Sequence, residues 1–261
     1  MYNIAIPSYN RADILVKKTL ATLRRNSIDE KIIKVFVADY SQFKIYEKAL
    51  LENEYDIEII IGELGIANQR NYIKKYYTTV GQHIVVIDDD VEAFEKVDEN
   101  KKFNEILNIN DFFTSAKEYM IEEDVNLWGI YGAKNGLWMN NYKTDYSVGF
   151  YFIIGCCYGF LVEEFMTPYL VDVNIKQKED YEQTLLHFVE KGGVLRFNKI
   201  TLKTKFYQEG GLGTKKDRRV KNEADTDLLL LKYPTYFKRK VRKDGWSEVS
   251  LIKQKTKKKI N

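Results

Sequence analysis

The feature that most constrains this chain is the run Ile84-Val85-Val86-Ile87, which passes directly into Asp88-Asp89-Asp90. Four apolar residues without alternation read as a strand buried on both faces. The end of that strand delivers three neighbouring carboxylates, whose mutual repulsion is costly without a compensating cation. Oxygen-only ligands suit Mg2+ or Mn2+, which keep positions open for phosphate oxygens. Acidic residues at a strand end also arise as helix caps. Three in a row after a buried strand favour the metal.

The surrounding pattern repeats the same theme. Residues 2–8 read as a buried strand stopped by Pro7, 32–38 as a second, 57–61 as a third and 83–87 as a fourth. Between them, 14–25, 46–51 and 67–77 carry the apolar spacing of amphipathic helices. Alternating strand and helix with short connections predicts an α/β fold around a parallel sheet, whose ligands bind at the carboxyl ends of the strands. Further on, 111–122 and 179–191 read as helices, 127–131 as a strand, and 150–162 as a strand broken at Gly155. No repeat and no proline-rich linker is visible, which favours a single globular unit.

Composition narrows the setting. The chain has 261 residues, 44% hydrophobic and 30% charged, an ordinary globular mixture that excludes wholesale disorder and a collagen-like fibre. The two cysteines, Cys156 and Cys157, are adjacent and cannot build a disulfide framework. No basic segment precedes Ile4-Ala5-Ile6-Pro7, and no apolar stretch reaches the roughly 18 residues of a membrane span, so a cytoplasmic protein without a membrane segment is expected. The net charge of +3 hides an asymmetry. Residues 199–261 hold 19 Lys and Arg against 7 Asp and Glu, a balance of +12, whereas residues 1–198 stand at −9. A basic C-terminal quarter on an acidic body points to an anionic partner, or to a solvated helix face with a mobile lysine-rich tail at 253–259.

Five segments in order resemble the GT-A-type glycosyltransferases. Ile6-Pro7-Ser8-Tyr9-Asn10-Arg11 is similar to the motif by which the first strand of that family enters the nucleotide site. Asp39 matches the family's base-binding acid, and Gly65-Ile66-Ala67-Asn68-Gln69-Arg70-Asn71 its diphosphate-contacting segment. Asp88-Asp89-Asp90 matches the Asp-x-Asp metal motif, and Lys178-Glu179-Asp180 the acid pair that supplies the base in inverting members. The resemblance implies a GT-A mixed sheet with helices on both faces, a core over 1–200, and a basic region over 201–261 that completes the site. It further implies Mn2+ or Mg2+ at Asp88 and Asp90, and a nucleotide-sugar donor, most simply a UDP-sugar. That donor would be held by Pro7, Ser8, Tyr9, Asn10, Arg11, Asp39, Asn68, Arg70, Asp88 and Asp89. Asp180, with Glu179 beside it, would be the catalytic base. A narrower likeness to phage-type transferases that decorate hydroxymethylated bases implies DNA as acceptor, in the cytoplasm of an infected host; a saccharide acceptor is the alternative within the same fold, and a non-catalytic nucleic-acid-binding protein the alternative outside it.

The residues support several of these roles on their own chemistry. Arg70 can pair bidentately with phosphate, although a helix-surface arginine is the plainer role. Gly65 allows close backbone approach at a helix start. Asp39 and Asp180 also suit helix capping. The run Gln208-Glu209-Gly210-Gly211-Leu212-Gly213-Thr214-Lys215-Lys216 reads as a phosphate-cradling loop or lid, or as a plain hairpin. Trp128 and Trp138, flanking 132–136, are candidates for stacking on a sugar or base, whereas Tyr119, Tyr131, Tyr151 and Tyr158 read as core, and Cys156-Cys157 as inert packing.

Overall fold

The computed structural model describes residues 1–204, 215–243 and 245–255, with the side chains of 215–218 left aside. The four apolar runs form β1 (Tyr2–Pro7), β2 (Ile33–Val37), β3 (Glu58–Ile61) and β4 (His83–Ile87), all mutually parallel. Their crossovers are α1 (Ala12–Leu15), continued through a π-helical turn (Val16–Leu20) into α2 (Ala21–Arg25), then α3 (Tyr40–Glu52) and α4 (Ile66–Tyr76). Asp39 starts α3 six residues before the apolar periodicity announces it, because its carboxylate accepts from the Gln42 amide.

After β4 the chain builds a small antiparallel sheet from β5 (Ala93–Val97) and β6 (Phe103–Glu105), joined later by β11 (Ile200–Lys203). Helix α5 (Ile109–Glu122) leads to β7 (Leu127–Ile130), the short α6 (Gly136–Asn140), β8 (Tyr146–Gly149) and β9 (Cys157–Leu161). Helix α7 (Glu179–Lys191) ends at Gly192, whose φ of 77° closes it in the left-handed region, and β10 (Val194–Phe197) follows. Helix α8 (Lys215–Lys232) and the hairpin β12 (Phe237–Val241) with β13 (Ser247–Leu251) complete the described chain.

The main sheet has the order β3-β2-β1-β4-β9-β7-β10-β8. Strand β9 runs antiparallel to β4 and β7, while β10 is parallel to β7. Hence β1, β4, β7 and β10 point the same way, and their carboxyl ends share one edge of the sheet.

Alternation splits the core into two layers. Ile4, Ile6, Val85 and Ile87 face Leu15, Leu20, Tyr46, Leu50, Phe113 and Met120 of α1, the π turn, α3 and α5. Ala5, Ile84 and Val86 face Ile73 of α4, Leu185 and Phe188 of α7, and Leu229, Phe237 and Val249 of the C-terminal helix and hairpin. The fold is therefore a mixed, mostly parallel α/β sheet with helices on both faces, as expected.

Two readings are corrected here. The segment 150–156 is not strand; only 157–161 pairs with β4 and β7. Trp128 is no stacking platform, because it is fully buried and donates from Nε1 to His83 Nε2 at 2.8 Å. That indole crosses over Gly159, where a Cβ would stand 2.2 Å from Trp128 Nε1 and 2.8 Å from His83 Nε2. Both rings are locked in the core and cannot yield. Gly159→Ala is therefore expected to cost about 2–3 kcal/mol, the overpacking of a filled core plus a broken buried hydrogen bond. Urea unfolding of the variant beside the parent protein measures it.

Candidate active site

The carboxyl edge of the sheet gathers the candidate residues in three groups. The first is the turn after β1. Ser8 is buried, its hydroxyl donating to Asp89 at 2.5 Å and lying 2.6 Å from the Tyr46 hydroxyl. Tyr46 also accepts from the Arg11 amide, and Gln42 exchanges hydrogen bonds with the Asn10 amide and side chain at 2.8 and 2.6 Å. Asn10 sits at φ 56°, a left-handed conformation that asparagine tolerates. Helix α3 thus fixes the turn after Pro7 and carries Asp39 at its own start. Asp39 is exposed, and its carboxyl is held below the usual range by the Ser41 hydroxyl and the Gln42 amide.

The second group is the aspartate loop after β4. Its backbone is pinned from the π-helical turn: Thr19 Oγ1 donates to the Asp88 carbonyl at 2.8 Å and accepts from the Val91 amide at 2.9 Å. Arg11 spans two carboxylates, Asp89 at 2.8 Å and Asp90 at 2.9 Å, and Thr204 at the end of β11 donates to Asp90 at 2.9 Å. Among the described residues, the cation that pairs with Asp88 is the distant Arg70, at 3.6 Å. Burial, with help from Asp89 and Asp90, pushes its carboxyl up to about 7. Burial likewise pushes Asp89 up to about 6, against the pull of Arg11.

The third group joins α4 to α7. Arg70 is 4% exposed; it pairs with Glu179, donates to the Gly155 carbonyl at 2.8 Å and lies over the Tyr158 ring. Gly155 is required there, since a Cβ would meet the guanidinium at 2.3 Å. The Gly155 amide in turn donates to Asp180 at 3.2 Å. Asp180 is partly exposed, and burial reinforced by Glu179 pushes its carboxyl up to about 7. Asn68 is half-buried and donates to the Leu64 carbonyl at 2.9 Å beside Gly65, whose φ of 93° places it in the left-handed region at the start of α4.

The donor set fits a hard divalent cation in part. Asp88 and Asp90 offer oxygens at a strand end where negative charge exceeds the two guanidinium groups that answer it. Among the described residues, no group of three or more His, Cys, Asp or Glu side chains gathers as a metal cage. A cation held here would rely on water or phosphate for its remaining ligands, as Mg2+ and Mn2+ do.

Three-dimensional likeness to solved structures is extensive. S. aureus TarS 1–349, solved with UDP-GlcNAc, matches at TM-score 0.54 and 14% identity, over 88% of this chain and 66% of that one. Glucosyl-3-phosphoglycerate synthase from Mycobacterium tuberculosis, solved with Mn2+, UDP and glucosyl-3-phosphoglycerate, matches at TM-score 0.51 and 9% identity, over 97% and 87%. The chain has the GT-A fold. It spans just under two thirds of the TarS fragment's length. No protein-family model matches the sequence, and no curated protein matches it.

Sequence reasoning did not single out Tyr46, Thr19, Thr204 or the backbone of Gly155 as site residues. Each acts by a hydrogen bond between segments far apart in sequence, which leaves no local pattern. Lys215–Lys216 open α8, and the rest of the proposed glycine loop, 208–214, lies outside the described residues. No described helix is long and apolar enough to cross a membrane.

The Arg70–Glu179 pair carries a stability consequence. Removing the cation leaves a buried carboxylate unpaired, so Arg70→Met is expected to lose about 3–5 kcal/mol. Pairing it with Glu179→Met should restore much of that loss, an effect a double-mutant unfolding cycle reads directly.

Proposed function

We propose that this protein transfers a sugar from a nucleotide diphosphate donor, a UDP-sugar, to an acceptor hydroxyl. The observation that carries the reading is the meeting of the aspartate loop, the turn after β1 and the Glu179–Asp180 pair at one sheet edge of a GT-A fold. The donor lies across the ends of β1, β2 and β4. Asp39 accepts from the base, the turn Pro7-Ser8-Tyr9-Asn10-Arg11 lines the nucleoside with Asn68, and Asp88 and Asp89 border the diphosphate.

Asp88 and Asp90 would hold Mn2+ or Mg2+, which would supply neutralising charge for the departing diphosphate. Arg70 contributes from beneath: paired with Glu179 and donating to the Gly155 carbonyl, it sets the local potential and helps to fix Asp180 through Gly155. Asp180 accepts the proton of the attacking hydroxyl. A carboxyl pushed up to about 7 is a stronger base than an ordinary aspartate, and its proton-accepting form prevails above that pH. Transfer should therefore rise as pH climbs through about 7. Asp180→Asn is expected to cut transfer by roughly 100- to 10,000-fold while calorimetry shows unchanged UDP affinity. Mass spectrometry of acceptors incubated with a panel of nucleotide sugars and Mn2+ tests the reading; no transfer from any donor would defeat it.

For the acceptor we propose a polyanion, with hydroxymethylated DNA of a phage the specific candidate. Part of the C-terminal surplus is spent internally: Arg239 pairs with Glu223 and Asp227, and Lys232 with Asp172 and Glu182. Lys238 and Lys240 remain exposed. They stand opposite Ser250 and Glu248 in the hairpin, and Glu248 accepts from Lys178 and Tyr181 at the start of α7. Directly opposed residues share a sheet face, so these lysines flank the candidate base. Neutral saccharide acceptors fit the fold equally, and salt separates the two. On DNA, Lys238→Ala with Lys240→Ala should raise the acceptor KM and flatten the logarithmic salt slope by about 2. A reaction indifferent to salt would move the acceptor to a neutral glycan.

A further inference from the structure

Strand β10 carries a buried cation that the mechanism above does not use. Arg196 is 9% exposed, and its guanidinium carbon lies 4.8, 5.0 and 4.6 Å from the ring centroids of Tyr131, Tyr142 and Tyr151. Its Nε and one terminal nitrogen reach only the neutral amide oxygen of Asn198, at 3.4 and 3.2 Å. The other terminal nitrogen has no hydrogen-bond partner, and no carboxylate pairs with Arg196, among the described residues. Asp145, just before the neighbouring strand β8, directs its side chain to Lys96 instead.

A merely structural arginine would be expected to bury its charge against an acid, because an unpaired buried ion is costly. Three aromatic faces offset part of that cost, yet they leave the guanidinium fork without an oxyanion. Asn198, itself fully buried, is anchored by Ser147 at 2.7 Å and by the Thr144 carbonyl at 3.2 Å, and so holds the fork in one orientation. The three tyrosines are each half-buried, leaving the cage open on one side.

The cage stands at the functional edge of the sheet. Arg196 is one residue from the carboxyl end of β10, and Tyr131 directly follows β7; both strands run parallel to β4 in direction. Tyr151 adjoins Phe152, whose ring stacks on Tyr181 at 4.2 Å, next to Asp180.

We infer that Arg196, framed by Tyr131, Tyr142 and Tyr151, anchors an anion subsite that takes a phosphate or carboxylate group. Planar, two-pronged recognition of such oxyanions is what a guanidinium does best. The transferase reading enters only in naming the acceptor as the molecule that brings the anion; the subsite itself stands on the cage.

The test titrates the full-length protein with inorganic phosphate, and separately with acetate, while saturating UDP fills the donor site. In the parent protein the side-chain Nε–H resonance of Arg196, displaced by the three rings, should move on titration; the stronger response identifies phosphate or carboxylate as the preferred group. Arg196→Met should weaken anion binding at least tenfold with UDP affinity unchanged, and Arg196→Lys should retain part of it. Should Arg196→Met not fold, the resonance and the lysine variant decide the matter. An Arg196 resonance unmoved by both anions, or equal anion affinity in parent and variant, overturns the subsite. If UDP and other nucleoside diphosphates fail to bind at all, the transferase reading falls, and the anion titration still judges Arg196 independently.

Discussion

The Arg70–Glu179 ion pair is the constraint on which the rest of the site depends. It joins the two helices that cover one face of the sheet, α4 and α7, and both partners are buried. Two charges taken out of water gain little net stability from each other. What the pair supplies is position. The same guanidinium grips the Gly155 carbonyl, and the amide of that glycine holds Asp180. The backbone preceding β9 is thereby locked between α4 and α7. This also explains why 150–156 leaves the sheet: its peptide groups serve side chains of α4 and α7 instead of a neighbouring strand, with Thr184 Oγ1 accepting from the Ile153 amide at 3.1 Å.

The parallel half of the fold was legible because its strands are buried on both faces. Ile84 to Ile87 and Ile4 to Ile6 have no polar alternation to confuse, and short α/β connections leave few topologies open. Of the later elements, α5, β7 and α7 were legible from their apolar spacing, whereas the short and exposed ones were not. Strand β12, Phe-Lys-Arg-Lys-Val, has four exposed residues and exists by pairing with β13 and packing on α8. Helix α6 is a five-residue turn capped by Asn135, too short for any period to register. Strand β10 contains Arg196 where a buried strand ordinarily holds an apolar residue, because three distant tyrosines converge there.

The site residues divide in the same way. Motif spacing pointed to loops that the fold does bring together, since Asp88, Asp90, Arg70 and Asp180 gather around one edge. It did not reveal how each carboxylate is neutralised. Arg11 reads in sequence as the end of a nucleotide-binding turn, but its fork is spent on Asp89 and Asp90. Arg70 reads as an exposed phosphate clamp, but lies beneath the surface against Glu179. Sequence marks which charges gather at a site, whereas pairing among them is decided by distances of a few ångströms between separate elements.

The C-terminal quarter is where this distinction matters most. Its +12 balance suggests a uniformly basic lobe, yet ion pairs, one to the buried Glu182 and two on the surface at Glu223 and Asp227, convert part of that charge into structure. Asp225, only 2% exposed, accepts from the backbone amides of Lys176 and Gln177, so α8 holds the segment that delivers Glu179 and Asp180. Lys232 and Tyr233 reinforce it through Glu182 one turn further along α7. The C-terminal region is therefore no appendage to a finished α/β core. The acids at the start of α7 owe their place to it as much as to the sheet.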